Sequence, residues 1–268
     1  MSKIKDNVDG EDFELTNLLD PSYPLLKILK DSCPGTFKHS QAVSAIVEAV
    51  CTAIEIDPLK PRIAAMFHDI GKTKNPKLFT ENQLADDEDP HDNMEPHISA
   101  QLIIKHVPDS VTILINDPNI PRDIIQMVSQ HHGNGITRFF FDKSGDKTDE
   151  LFRYNMPIPN TPEAAVLMIC DIVEATSRSH FQSGKLEINA LVDRIFFELT
   201  NDNQFDEVES DWRIQVDKLE LKWGMQKEIK ESLIHGLRNS FQETIKKTLI
   251  TELQGIFQKR VDYSKAKK

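Results

Sequence analysis

Pro61-Arg62-Ile63-Ala64-Ala65-Met66-Phe67-His68-Asp69-Ile70-Gly71-Lys72 is a short apolar helix pattern that ends in a histidine-aspartate pair. A proline at its start and a glycine at its end are the expected asymmetry of a helix, and Ile63, Phe67 and Ile70 make its buried stripe. His68 and Asp69 lie about 100° apart around the axis, so both can reach one point above the final turn. Imidazole and carboxylate together suit iron, manganese or zinc, and an aspartate between two groups of histidines can bridge two such ions. The stretch therefore points to metal-assisted hydrolysis.

Further ligand types lie on both sides of it at helix-compatible positions: His39, His106, His131, His132 and Asp171. Residues 40 to 55 place Val43, Ile46, Val47, Val50 and Ile54 at helical spacing, with His39 on the same face. A third helix is predicted over residues 96 to 107, with Leu102 and Ile103 preceding His106. A fourth opens at Pro121 and carries Ile124, Ile125 and Val128 towards His131. A fifth opens with Thr161 as N-cap and Pro162 at the first helical position. The Gly-, Pro-, Asn- and Asp-rich stretches Lys74 to Asp92 and Gly133 to Pro159 read as loops. From Leu186 to Tyr263 the pattern is again helical, with an acidic break from Asn201 to Asp211 and a long amphipathic stretch from Met225 to Val261. The chain is thus expected to be all-α. Residues 1–32 form an acidic segment and lead-in helix, residues 33–263 one domain, and residues 264–268 a disordered basic tail.

Each candidate has an ordinary explanation when taken singly. His39 and His106 share faces with core residues, as satisfied structural histidines do. Asp171 sits between Ala164-Ala165-Val166-Leu167-Met168-Ile169-Cys170 and Ile172-Val173, where an uncompensated carboxylate costs several kcal/mol. A metal, a pairing with Arg178 or the capping of another helix would each compensate it. Lys72 is either a solvated lysine at a helix end or a donor to a phosphate held at the metals. The set as a whole favours a metal centre, because four predicted helices each send ligands inward. His91 and His97 are weaker candidates, with substrate contact the second reading of His91; His180 and His235 read as solvent-facing.

A net charge of −11 over 268 residues argues against a nucleic-acid polymer as partner and leaves a small anionic substrate, provided that metals invert the potential locally. Three cysteines without CxxC spacing fit neither a disulfide framework nor a thiolate zinc site, so a cytoplasmic setting is expected. Met1 to Leu19 has no apolar signal-peptide core. The longest unbroken apolar run, Ala164 to Cys170, is far short of the roughly 18 residues of a membrane span. Formation of a homo-oligomer stays open.

The ordered combination Pro34-Gly35-Thr36-Phe37-Lys38-His39-Ser40, His68-Asp69-Ile70-Gly71-Lys72, Glu81-Asn82-Gln83, Pro90-His91-Asp92, His106-Val107, His131-His132-Gly133, Phe152-Arg153-Tyr154 and Glu174-Ala175-Thr176-Ser177-Arg178-Ser179 resembles the HD-domain phosphohydrolases. More narrowly it resembles the catalytic domain of the seven-transmembrane-type HD phosphodiesterases that hydrolyse cyclic di-AMP. The resemblance implies an HD-domain helical bundle with a dinuclear metal site in its centre. One ion would be held by His39, His68, Asp69 and Asp171, and the second by Asp69, His106, His131 and His132, with iron or manganese as the two divalent ions. The membrane-spanning and extracellular parts of those proteins have no counterpart here. Lys38 stands where a histidine is common, and Asp142 to Glu150 and the C-terminal region look remodelled.

The implied activity is hydrolysis of cyclic di-AMP to linear pApA. Asp69 and Lys72 would serve catalysis, and Lys72, His91, Arg138 and Arg178 would contact the substrate. Three rivals remain. A cyclic di-GMP diesterase would carry a Gly-Tyr-Pro signature, which His131-His132-Gly133-Asn134-Gly135 lacks. A phosphomonoesterase would need only the His39, His68, Asp69 and Asp171 set. A non-catalytic nucleotide-binding sensor would be expected to lack a ligand.

Overall fold

The computed structural model describes residues 13–84, 88–182, 187–208 and 227–266. Among them the chain forms α1 (Pro24–Ser32), α2 (Pro34–Ala53), α3 (Leu59–Phe67), α4 (Pro96–Ile104), α5 (His106–Ile115), α6 (Arg122–Gln130), α7 (Arg138–Ser144), α8 (Pro162–Gln182), α9 (Ile188–Asn201) and α10 (Lys227–Ala266). Short 3-10 turns occupy Leu15–Leu19, Ile70–Lys74, Pro76–Leu78, Thr80–Asn82 and Glu150–Phe152. β-pairing among the described residues is limited to an isolated bridge between Ile136 and Arg153. The fold is all-α, as expected.

Helix α8 is the axis of the bundle. Ala164 through Cys170 are all buried, and a run apolar on every side is stable only when surrounded. Around it pack α2, α3, α6 and α9, with Val43, Ile46, Val47 and Val50 of α2 and Ile63, Ala64 and Phe67 of α3 fully enclosed. Ile245, Leu249, Leu253 and Phe257, spaced one turn apart on α10, close the far side, and Phe257 stacks on Phe181 at 4.6 Å. Thr161 caps α8 as predicted, its Oγ1 accepting from Ala164 N–H at 3.2 Å. The start of α2 is satisfied differently. Cys33 gives no side-chain cap, and Asn82 Oδ1 accepts from both Gly35 and Thr36 N–H at 3.1 Å.

Several sequence expectations are corrected. The third helix does not end at residue 107: α4 stops at Ile104, and His106 begins a new helix that continues to Ile115. Pro108 sits in the first turn of that helix, where a missing N–H costs nothing. By length and composition alone Pro96–Ile115 is apolar enough to cross a membrane, contrary to the expectation drawn from unbroken runs. In the structure it is two helices, with Ser99, Ala100, Ile104, His106, Val107, Ser110 and Leu114 buried in the bundle. The helix from Pro61 begins at Leu59 and ends at Phe67, passing into the 3-10 turn Ile70–Lys74. The stretch Gly133 to Pro159 contains α7, whose Phe140 packs with Ala100 and Phe152 in a small satellite core. Ser264 to Ala266, expected to be disordered, continue α10. Residues 1–12, 85–87, 183–186, 209–226 and 267–268, on which parts of the acidic segment, the first loop, the expected helical start at Leu186, the acidic break and the basic tail fall, lie outside the described residues.

Candidate metal centre

Helix ends bring the ligand types together. His39 sits in the second turn of α2, His68 and Asp69 follow α3, His106 opens α5, His131 and His132 follow α6, and Asp171 lies midway along α8. All are buried except His132, whose side chain is 22% exposed. Carbonyls in the last turn of a helix have no intrahelical partner, and three of the histidines use them. His68 donates Nδ1–H to Ala65 O, His106 to Ile103 O and His131 to Val128 O, at 2.7, 2.7 and 2.6 Å. That bond fixes each ring with Nε2 facing the interior of the cluster.

Asp69 occupies the middle. Its Oδ1 faces His106 Nε2 at 3.2 Å and His131 Nε2 at 4.0 Å, while Oδ2 faces His68 Nε2 at 3.2 Å and His39 Nε2 at 3.8 Å. Asp171 Oδ1 lies 2.9 Å from His39 Nε2 and 3.5 Å from His68 Nε2, and its Oδ2 lies 3.9 Å from His132 Nδ1. Three groupings, His39-His68-Asp69, His68-His131-Asp171 and His106-His131-His132, each hold their ligand atoms within 4.8 Å of one another.

This donor set fits divalent cations. His106 Nε2 and His131 Nε2 are 3.3 Å apart, and with Nδ1–H already committed on both rings, each presents a lone pair to the other. His68 Nε2 and Asp69 Oδ1 are buried without a hydrogen-bond partner. Such an arrangement is stable only with positive charge among the lone pairs. When protons are the only cations, the titration follows that need. Burial alone would push His68 down, but Asp69 and Asp171 outweigh it and push it up to about 10. Burial likewise works against the charge on Asp171, yet His39 and His68 hold its carboxyl well below the usual range. At the other end burial, then the neighbouring histidines, push His131 well down, and burial pushes His132 down to about 3.

Lys72 Nζ reaches Asp69 Oδ2 at 2.7 Å and Glu81 Oε1 at 2.8 Å, and lies over the Phe79 ring. Gly71 lets the segment after Asp69 lie directly against α5: its N–H donates to Ser110 Oγ, and a Cβ there would come within 2.1 Å of His106 O. The other residues expected at the substrate are placed less centrally. Arg178 lies at the rim, with Nε 3.5 Å from Glu174 Oε2 rather than paired with Asp171. Arg138 is exposed at the start of α7, beside the Phe141 ring. His91 is buried, with Nε2 on Leu78 O and its ring against Phe140. Four neighbours of the cluster are given no role by the sequence reading: Phe79, and three that stand in the quoted segments, Glu81, Glu174, whose Oε2 accepts from His39 Nδ1–H at 2.5 Å, and Tyr154, whose ring lies 4.4 Å from that of His132. Glu174 carried a positional cue as well, standing three residues after Asp171 on the same helix face.

A family model described as "HD domain" matches residues 36–176. The chain is 38% identical over 197 residues to the cyclic-di-AMP phosphodiesterase PgpH of Bacillus subtilis (strain 168), covering 72% of this chain and 27% of that protein. It is 36% identical over 197 residues to the protein of the same name from Listeria monocytogenes serotype 1/2a (strain 10403S), with the same coverage. The chain thus spans about a quarter of the length of the curated relatives it matches. Among solved structures, the HD domain of L. monocytogenes PgpH superposes with a TM-score of 0.71 at 31% identity, covering 88% of this chain and 100% of that one. The same domain in complex with cyclic-di-AMP gives a TM-score of 0.70 at 31% identity, covering 88% and 99%.

Proposed function

This chain belongs to the HD domain family, and from that premise we propose that it is a metal-dependent phosphodiesterase that opens cyclic di-AMP to linear pApA. One observation carries the reading: Asp69 turns one carboxylate oxygen towards His39 and His68 and the other towards His106 and His131. A monoesterase needs only the first of these groups. The Listeria domain that shares this fold was solved with cyclic-di-AMP, which supports that substrate over cyclic di-GMP.

His39, His68, Asp69 and Asp171 would hold one divalent ion, and Asp69, His106, His131 and His132 a second, iron or manganese in each case. Bound there, the ions would supply Lewis acidity towards a phosphoryl oxygen and lower the pKa of a water. The protein's part is positional. Backbone carbonyls orient three imidazoles, Glu174 orients a fourth, and Lys72 fixes the rotamer of Asp69 while adding positive charge beside it. Arg178 and Arg138, at the rim and on α7, supply cations for the phosphate that is not being cleaved. His91 keeps a substrate role only as a wall of that face, because its Nε2 is taken by Leu78 O. The cysteines Cys33, Cys51 and Cys170 are all buried and unpaired, which supports a reducing, cytoplasmic setting for this domain.

The test is chromatography of products from cyclic di-AMP and cyclic di-GMP with Mn²⁺ or Fe²⁺ supplied to anaerobically purified protein. The expected result is pApA from the first substrate, lost in His106→Ala and His131→Ala. Retained pApA formation in both variants would replace the two-metal reading with a single ion at His39, His68, Asp69 and Asp171; phosphate release from a nucleoside monophosphate with neither cyclic dinucleotide attacked would favour a monoesterase, and binding without turnover a sensor.

A further inference from the structure

His39 differs from the other buried histidines of the cluster in what holds its ring. His68, His106 and His131 each lean on a neutral backbone carbonyl, whereas His39 donates Nδ1–H to the Glu174 carboxylate across the α2–α8 interface. Glu174 is 4% exposed and stands one helical turn beyond Asp171. A single face of α8 therefore sends one carboxylate to Nε2 of His39 and another to its Nδ1. A carbonyl fixes the tautomer and orientation of a ligand; a carboxylate does this and also raises its basicity.

The two ends of the cluster differ in charge as a result. The His39 end gathers Asp171, Glu174 and Oδ2 of Asp69. Of the nearby cations, Lys72 touches Oδ2 of Asp69 but is shared with Glu81, and Arg178, partly exposed and 3.5 Å from Glu174 Oε2, offsets that carboxylate only in part. The opposite end offers the rings of His106, His131 and His132, Oδ1 of Asp69 and, 3.9 Å from His132, the second oxygen of Asp171. A divalent ion gains more from the first environment than from the second.

We propose that Glu174 is a positioning residue that makes the two metal positions unequal. The His39 end is the tight position and fills first; the His106-His131-His132 end is weaker, and its filling switches the enzyme on. This rests on the dinuclear reading above and adds an order of loading to it.

The test is titration of the metal-free full chain with Mn²⁺, following free ion by electron paramagnetic resonance and cyclic di-AMP turnover at each point. Two steps are expected, with turnover appearing only in the second. Glu174→Gln keeps a hydrogen-bond acceptor but removes the charge, and is expected to weaken the first step about 10–100-fold while leaving the second in place. Glu174→Asp, which restores the charge on a shorter arm, should recover part of that loss. Melting of each metal-free variant identifies a purely structural role, which would lower the midpoint without a selective change in the first step. An unchanged first step in Glu174→Gln, or equal weakening of both steps, overturns the proposal while leaving the dinuclear centre standing. Binding of a single ion by the unaltered protein overturns both.

Discussion

Lys72 Nζ lies 2.7 Å from Asp69 Oδ2, so a fixed positive charge touches the carboxylate at the middle of the ligand cluster. Its second partner, Glu81, also accepts from Thr36 Oγ1, which ties this charge to the start of α2. A cation so placed opposes metal binding while favouring a negatively charged transition state. Lys72→Met is therefore expected to lower turnover about 100-fold without lowering the affinity for Mn²⁺. Steady-state kinetics at saturating metal, together with a metal titration, separate the two effects. A loss of affinity with turnover intact at saturation would contradict this role.

Gly71 is where the segment after the His-Asp pair meets α5. A Cβ at this position would stand 2.1 Å from His106 O and 2.6 Å from Ser110 N, both backbone atoms that cannot swing aside. Gly71→Ala should cost at least about 1–3 kcal/mol and push His106 away from Asp69. A lowered melting temperature with loss of one bound ion per chain is the expected signature.

The metal-free protein should be most stable near pH 6 to 7. His68, held up to about 10 by Asp69 and Asp171 against the effect of burial, keeps a proton that the unfolded chain loses near 6.5. Its contribution is full below pH 6.5 and is lost as pH rises through about 10. His132, pushed down to about 3 by burial, works in the opposite sense: its contribution is full above pH 6.5 and is lost as pH falls through about 3. Melting curves in chelator from pH 4 to 10 test this. Because a divalent ion must displace the His68 proton, its apparent affinity should rise about tenfold per pH unit between 7 and 9.

Arg153 anchors the segment that carries Tyr154 against the ring of His132. Its guanidinium grips Asp202 through two bonds, at 2.9 and 3.2 Å, and also reaches Asp149 and Asn134 O. Lysine lacks this fork. With the side chain 29% exposed, Arg153→Lys should cost only about 1 kcal/mol globally. Hydrogen exchange of residues 134–154 should nevertheless quicken, and turnover should fall as His132 loses its support.

Much of the site was legible because ligands on amphipathic helices share a face with core residues. His39 follows the stripe of Val43, Ile46 and Val50, and Asp171 interrupts an apolar run too long to leave a charge unexplained. The helix starts at Pro96 and Pro162 were legible, the second marked by Thr161 as well, whereas α2 begins at Pro34, six residues before the stretch read as helix. Helix α5 was hidden because Pro108 reads as a breaker unless the helix is known to begin only two residues earlier. Helix α7 was hidden because Phe139, Phe140 and Phe141 are flanked by turn-forming residues, and only packing against Ala100 and Phe152 settles them as a helix. Lys72, Glu81 and Phe79 meet through a chain reversal after Asp69, and no periodicity reports such a meeting.

His39 and Asp171, in contact at 2.9 Å, stand 132 positions apart along the chain. A cation seated between them would tie these distant positions together in the folded chain alone, stabilising it by mass action and leaving when the chain unfolds. Scarcity of the ion would then shorten the lifetime of the folded chain as well as silence it, so the abundance of the protein in a cell would follow the supply of metal.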